Sequence, residues 1–283
     1  MRMHVLGASG VEVAAIGQGT WDLPESGARL DEAKRALRRG IELGMTHIDT
    51  AEMYGDGRVE EIVGEAIAGL PRERLFITSK VLPSHADAAG TIAACERSLR
   101  RLRTEYLDLY LLHWPGEYPF DETMRGFERL VRDGKVRFVG VSNFDLDDLR
   151  AAVERAREVP IVCNQVLYHL RERGMERRIL PWCRAHGVAV VGYTPFGRSR
   201  FPRAESEGDG VLARIARAHG VPVRAVVLAF LTRDPDLFTI PKAARREHVE
   251  ENALAGDLRL DAEEIAAIDA AFPVGDERPL ASL

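Results

Sequence analysis

The sequence predicts an α/β fold of the (β/α)8 TIM barrel type, preceded by an N-terminal β-hairpin. Three observations carry this. Short apolar runs of β-forming residues recur eight times, and amphipathic helical stretches lie between them. The third is an absence: no GxGxxG follows an early strand and no GxxxxGK[ST] occurs anywhere, so the phosphate fingerprints of an open doubly wound sheet are missing. A chain of 283 residues, 46% of them hydrophobic, has the usual length of such a barrel, and one domain over 1–283 is expected.

The hairpin reads as MHVLG and VEVAAIG around a turn at Ala8-Ser9-Gly10, because a glycine-containing turn separates two short apolar stretches. The barrel strands are expected at Val13 to Gly19, Met45 to Asp49, Leu75 to Lys80, Leu107 to His113, Phe138 to Ser142, Ile161 to Gln165, Val188 to Tyr193 and Leu237 to Pro241. Between them DEAKRALRRGIELG, TIAACERSLRRLR, DETMRGFERLVRDG and DLDDLRAAVERARE repeat apolar residues at three and four, with charge on the other face. Asp31, Asp121 and Asp145 are candidate helix N-caps, and Gly44, Gly134, Gly187 and Gly220 mark helix ends. A long polar loop, Gly197 to Gly210, follows the seventh strand and is placed to act as a lid.

With 39 basic and 44 acidic residues the formal charge is -5, and no basic block of the kind that tracks a phosphate backbone is present, so no nucleic-acid partner is expected. The most apolar run, Leu107 to Trp114, falls far short of the roughly 18 residues of a membrane span, so a soluble, cytoplasmic protein that does not bind membranes is expected, as a monomer. Cys95, Cys163 and Cys183 have neither disulfide nor zinc-ligand spacing and read as reduced core thiols; no metal is expected.

Chemistry is expected at the C-terminal rim of the barrel, where successive strands end in Asp49 (with Tyr54 just after), Lys80, His113, Ser142-Asn143, Gln165 and Tyr193. Each has an ordinary structural reading alone: a cap, a snorkelling lysine, a satisfied core histidine. Four complementary groups on adjacent strand ends make those readings fail together. A lysine ammonium beside a phenol stabilises the phenolate and is expected to lower its pKa, so Tyr54 with Lys80 forms a proton donor, with Asp49 orienting the lysine and His113 donating to an oxygen that gains charge. This set suits carbonyl reduction. A barrel lyase using Lys80 as a Schiff-base nucleophile is one alternative, and a cofactor-sensing binding module is another.

GTW at Gly19 to Trp21, DTAEMYG at Asp49 to Gly55, Ser79-Lys80, LHWP at Leu112 to Pro115, GVSNF at Gly140 to Phe144, Asn164-Gln165, YTPFG at Tyr193 to Gly197 and IPKAARREHVEEN at Ile240 to Asn252 together resemble the aldo-keto reductases, in the family's order and over essentially the whole chain. The resemblance implies that Asp49, Tyr54, Lys80 and His113 are the catalytic tetrad and that the cofactor is NADPH, with NADH possible. It implies that Ser142, Asn143 and Gln165 hold the nicotinamide carboxamide and Tyr193 stacks on its ring. The segment Thr194, Pro195, Phe196 and Gly197 would pass over the pyrophosphate, with Gly19, Thr20, Trp21 and Asp49 as further cofactor contacts. Lys242 and Ala243 fall where the family grips the 2′-phosphate, and Glu251 and Asn252 where it holds adenine.

Two residues depart from the pattern: His248 stands where many members carry arginine, and Ala243 where a serine is common. Both narrow the expected preference for NADPH, with Arg245 and Arg246 near enough in sequence to supply charge. Trp21, Met53, Tyr54, His113 and Trp114 are expected around the substrate, with Phe120 as a further candidate, and the short tail GDERPLASL implies an open site.

Overall fold

The structure, a computed structural model, describes residues 1–198 and 207–282. Strands β1 (Met3–Val5) and β2 (Glu12–Ala14) pair antiparallel as the expected hairpin. Its turn needs glycine at Gly7, which has φ +49 and whose added Cβ would lie 2.2 Å from the Val162 carbonyl oxygen. That close approach seats the hairpin on the lower end of the barrel, where the Ala8 N–H donates to the Gly187 carbonyl at 2.7 Å and Leu6 is fully buried.

Eight parallel strands follow in sequence order: β3 (Gln18–Gly19), β4 (His47–Asp49), β5 (Phe76–Val81), β6 (Leu107–Leu112), β7 (Val136–Ser142), β8 (Ile161–Leu167), β9 (Ala189–Tyr193) and β10 (Leu237–Thr239). The barrel closes where the Gly17 N–H donates to Thr239 O at 2.8 Å and the Gly19 N–H to Pro241 O at 3.1 Å. The expected first strand, Val13 to Gly19, is divided. Its start is committed to the hairpin and only its end to the barrel, because one stretch must pair back on β1 and also close against β10.

Ten helices are described: α1 (Gly27–Glu42), α2 (Arg58–Ile67), α3 (Ala88–Leu102), α4 (Phe120–Arg132), α5 (Leu146–Arg155), α6 (Ile179–Ala185), α7 (Glu207–His219), α8 (Val223–Leu231), α9 (Arg246–Leu254) and α10 (Ala262–Ala271). Two exceed a strict one-per-strand alternation: α7 and α8 both lie between β9 and β10, and α10 follows α9. Asp145 caps α5, its Oδ1 accepting from the Leu146 N–H at 2.7 Å. Asp31 and Asp121 are not caps. Helix α1 begins at Gly27 and α4 at Phe120, which leaves Asp31 inside α1 beside Lys34 (3.4 Å) and Asp121 in the first turn of α4. Helix α4 extends further towards its N-terminus because Phe120, ahead of the expected cap, still packs on the core. The glycines Gly44, Gly134, Gly187 and Gly220 do close their helices, each with positive φ.

Of the expected polar loop from Gly197 to Gly210, residues 199–206 lie outside the described residues, and Glu207 to Gly210 form the first turn of α7. The buried Leu212, Ile215 and Ala216 hold that helix down, and packing overrides the poor helix propensity of its glycines.

Side chains alternate between two cores. Leu6, Val13, Leu109, Leu111, Val191 and Phe238 fill the barrel interior. Tyr110, Leu112 and Val190, one residue out of phase, join Val63, Phe127 and Leu228 between strands and helices. Cys95 and Cys163 are free and fully buried, and burial pushes both thiols up; Cys183, also buried, is raised to about 12. None is a nucleophile at neutral pH.

His47, at the start of β4, is fully buried, and its Nε2 lies 3.3 Å from Thr78 Oγ1. Burial, helped by Lys80, lowers its pKa to about 4. The unfolded chain takes up a proton here near pH 6.5 and the folded one does not, so stability is full above that pH and falls as pH drops towards 4. Between pH 7 and pH 5 this single residue accounts for about 2 kcal/mol. In urea unfolding, His47→Gln is expected to lose that much less stability than the parent over the same interval; equal losses would show that the acid sensitivity lies elsewhere.

Candidate active site

The parallel register of β4 and β5 sets Asp49 opposite Thr78 and brings Lys80, two residues on, beneath the segment that leaves β4. Lys80 is completely buried. Its Nζ donates to Asp49 Oδ1 at 2.5 Å, to the Thr50 carbonyl at 2.9 Å and to the Tyr54 hydroxyl at 3.2 Å. All three ammonium donors are thereby used. The other Asp49 oxygen accepts from Gln165 Nε2 at 2.7 Å, which links β4 to β8 across the barrel mouth. The His113 ring meets Tyr54 edge to face at 5.9 Å and Trp114 at 4.9 Å.

Burial opposes the Lys80 charge, but Asp49 first and Tyr54 second outweigh it, so its pKa lies above the ordinary lysine value. This leaves no lone pair for Schiff-base attack. Tyr54 corrects an expectation. Its pKa is raised, because burial outweighs the attraction of Lys80, whose charge is already compensated by Asp49. His113 is pushed down to about 2 by burial and by Lys80, so its imidazole is neutral, and its Nδ1 has no hydrogen-bond partner among the described residues.

Tyr54 is delivered by a turn with three consecutive left-handed residues, Gly55 (φ 55), Asp56 (φ 50) and Gly57 (φ 92), before α2 begins. Two buried carboxylates hold this turn against β5. Glu52 accepts from the Leu82 N–H at 2.9 Å and pairs with His85 and Arg97. Glu60 accepts from Ser79 Oγ at 2.5 Å and pairs with Arg101 at 2.6 Å.

A cleft of about 440 Å³ opens above these groups. Of the residues assigned by resemblance, Gly19, Thr20, Trp21, Asp49, Ser142, Asn143, Gln165, Tyr193, Thr194, Pro195, Phe196 and Lys242 line it, as do Met53, Tyr54, His113 and Trp114. Asn143, in left-handed conformation (φ 60), donates to the His113 carbonyl at 3.0 Å and accepts from the Tyr193 hydroxyl at 2.8 Å. Ser142 Oγ donates to Gln165 O at 3.0 Å. Trp21 is 47% exposed and Met53 and Trp114 each 37%, which is high for large apolar groups that face a cleft rather than a core.

Other residues lie elsewhere. Phe120 starts α4 and packs edge-on against Phe144 at 5.8 Å, in the outer core and not in the cleft. Gly197 and Ala243 do not line the cleft, and Ala243 packs on the outer core. Asn252 is fully buried with both amide atoms unpaired among the described residues. Glu251 lies 3.7 Å from Arg224. His248 Nε2 accepts a hydrogen bond from Arg245 Nη2 at 2.8 Å, and burial, then Arg224 and Arg245, lower its pKa, so it contributes little positive charge at neutrality. Asp22, Arg198 and Ile240 also line the cleft; the first two sit one residue outside GTW and YTPFG, the signal by which sequence could have found them. Among the described residues no group of His, Cys, Asp and Glu is arranged to hold a metal.

The model of the Aldo/keto reductase family matches residues 15–272. The chain is 43% identical to the methylglyoxal reductase YeaE of Escherichia coli over 274 residues, 96% of each chain, and 37% identical to the glyoxal reductase of Bacillus subtilis over 264 residues, 93% of this chain and 90% of that one. An aldo-keto reductase of Klebsiella pneumoniae, crystallised with NADPH, superposes with a TM-score of 0.93 at 44% identity, covering 100% of both chains. The thermostable aldo-keto reductase Tm1743, crystallised with epalrestat, gives 0.89 at 40% identity over 96% of this chain and 100% of that one. The buried Lys80 between Asp49 and Tyr54 at the mouth of an eight-stranded barrel thus accompanies a match along nearly the full chain, and the protein belongs to the aldo/keto reductase family.

Proposed function

We propose that this protein reduces small aldehydes and ketones to alcohols with NADPH, with dicarbonyls such as methylglyoxal as leading substrates and sugar-derived ketones as further ones. The observation that carries the reading is Lys80, buried and fully bonded between Asp49 and Tyr54 on the floor of the cleft. The donor chemistry fits the cofactor: amides and a hydroxyl near His113, the Tyr193 ring beside them, Lys242 on the cleft wall, and, in α9, the buried Asn252 amide with no partner among the described residues. Ser142, Asn143 and Gln165 would hold the carboxamide, Tyr193 the ring face, Lys242 the 2′-phosphate and Asn252 the adenine. Relatives named as methylglyoxal and glyoxal reductases, and one crystallised with NADPH, support substrate and cofactor alike.

When bound, the reduced nicotinamide supplies a hydride to the carbonyl carbon. The residues of the chain act at the oxygen. Tyr54 enters each turnover protonated, since its pKa is raised, and gives the phenolic proton to the oxygen as the C=O π pair becomes an O–H bond. Lys80 stabilises the phenolate left behind, and Asp49 keeps Lys80 charged and aimed. His113, neutral, donates a hydrogen bond to the same oxygen without competing as a proton source. Solvent reprotonates Tyr54 through the open cleft. Trp21, Met53 and Trp114 give the carbonyl an apolar wall.

A monomer in a reducing, cytoplasmic setting is proposed as the working unit, and three buried free cysteines fit that setting. Among the described residues no helix is long and apolar enough to cross a membrane.

A panel of aldehydes, ketones and dicarbonyls, followed by loss of NADPH absorbance and repeated with NADH, is expected to show turnover fastest with NADPH and small dicarbonyls; no turnover with either cofactor would overturn the proposal. Tyr54→Phe is expected to bind NADPH as the parent does and to lose about 10² to 10⁴ in rate, the usual contribution of a positioned proton donor. Because burial holds the Tyr54 proton more tightly than in water, the parent's reductive rate should show no basic limb below the ordinary tyrosine value of 10.0. A basic limb near neutrality that Tyr54→Phe abolishes would contradict this.

A further inference from the structure

Arg224 stands at the start of α8, far from every sequence motif of the site, with a side chain only 26% exposed. Its guanidinium lies over the ring of Phe196 at 4.6 Å, and Phe196 lines the cleft. Its nearest carboxylate, that of Glu251, is 3.7 Å away, too far for a hydrogen bond, and among the described residues its five N–H donors have no hydrogen-bond partner. A half-buried guanidinium with its donors unspent is costly unless something else takes them.

Its surroundings add to the cost. Burial lowers its pKa, Glu251 offsets that only in part, and the neighbouring Arg245 charge adds a smaller lowering of its own. His248 does not relieve the need for a cation: it is held neutral and is engaged with Arg245. Arg224 and Arg245 thus stand as two cations against the Glu251 carboxylate, behind the Phe196 ring that lines the cleft. A compact dianion would satisfy both the unpaired donors and the uncompensated charge.

We propose that Arg224 determines cofactor specificity by binding the 2′-phosphomonoester of NADPH, supplying the cation that His248 does not. The proposal rests on the NADPH reading above. Phe196 sets the position: the guanidinium carbon lies 4.6 Å from the centre of a ring that lines the cleft, and this contact fixes it without consuming a donor. A phosphomonoester carries a charge of nearly two at neutrality, so it gains more from the paired arginines than each singly charged phosphate of the pyrophosphate would.

Binding of NADP+ and NAD+ to the full-length protein, measured by calorimetry without a carbonyl and hence without turnover, tests this. Arg224→Gln is expected to weaken NADP+ about 10- to 100-fold, as loss of a charge-assisted hydrogen-bond pair does, and to change NAD+ by less than about threefold. Retained NAD+ binding also shows that the variant is folded, and Arg224→Lys should recover part of the NADP+ affinity by restoring charge without the fork. Unchanged NADP+ affinity in Arg224→Gln would overturn the proposal. So would equal weakening of both dinucleotides, which would place Arg224 on the shared pyrophosphate. A parent protein that binds neither dinucleotide would instead overturn the NADPH reading itself.

Discussion

An ammonium ion with no access to water governs the geometry of this protein's rim. Lys80 is fully buried, and an isolated buried charge would lose its proton rather than bear the desolvation cost. It stays charged because Asp49, Thr50 O and Tyr54 take its three donors. Each partner then carries a constraint of its own. Asp49 must be held, and Gln165 and the register of β3 against β4 hold it. Tyr54 must arrive from above, and the left-handed turn Gly55 to Gly57 brings it there. That turn in turn needs anchoring, which Glu52 and Glu60 provide through arginines and the end of β5. Removing Asp49 or Lys80 leaves the other as an uncompensated buried charge, a far larger penalty than the loss of one contact.

Strain collects on the same rim. Asn143, Thr194, Arg198 and Asp22 all have positive φ, and all line the cleft. For Asn and Asp that conformation costs little, but for the β-branched Thr194 it costs on the order of 1–3 kcal/mol. The bends these residues make turn the chain sharply as it leaves the strands, so that Asn143 reaches both the His113 carbonyl and the Tyr193 hydroxyl. The barrel supplies the stability and the rim spends part of it on aim.

Asp49, Lys80 and His113 were legible in the sequence because polar residues ending apolar strands have no other common explanation when they recur, and parallel strands put all such ends on one rim. What depended on distance through space was not legible. The Gln165 bond to Asp49 spans 116 residues. The direction of the Tyr54 shift depends on how completely the loop buries the phenol, which pairing with a lysine does not reveal. Asp31 and Asp121 resembled caps because a cap is a local pattern, whereas the helix starts were set by packing. Arg224 lies in a helix with no motif beside it, and only its stacking on Phe196 gives it significance.

The two ends of the cleft treat charge in opposite ways, and the difference fits what is proposed to bind at each. At the carbonyl end every charge is compensated before any ligand arrives: Lys80 by Asp49, Asp49 by Lys80 and Gln165, and His113 by being neutral. On the proposed function, a neutral carbonyl would disturb none of these, and the groups would respond only when its oxygen gains negative charge, which is the condition for favouring the transition state over the bound substrate. At the other end Arg224 and Arg245 repel one another, and His248 is held neutral beside them. There the imbalance exists in the free protein, and the proposed 2′-phosphate would relieve it on binding. Ground-state affinity is useful for a cofactor that must be held through the reaction, but it would slow the release of a small alcohol. A single barrel rim can meet both demands by separating them along one cleft, with buried pairs at the proposed carbonyl end and, behind Phe196, two arginines set against the single Glu251 carboxylate.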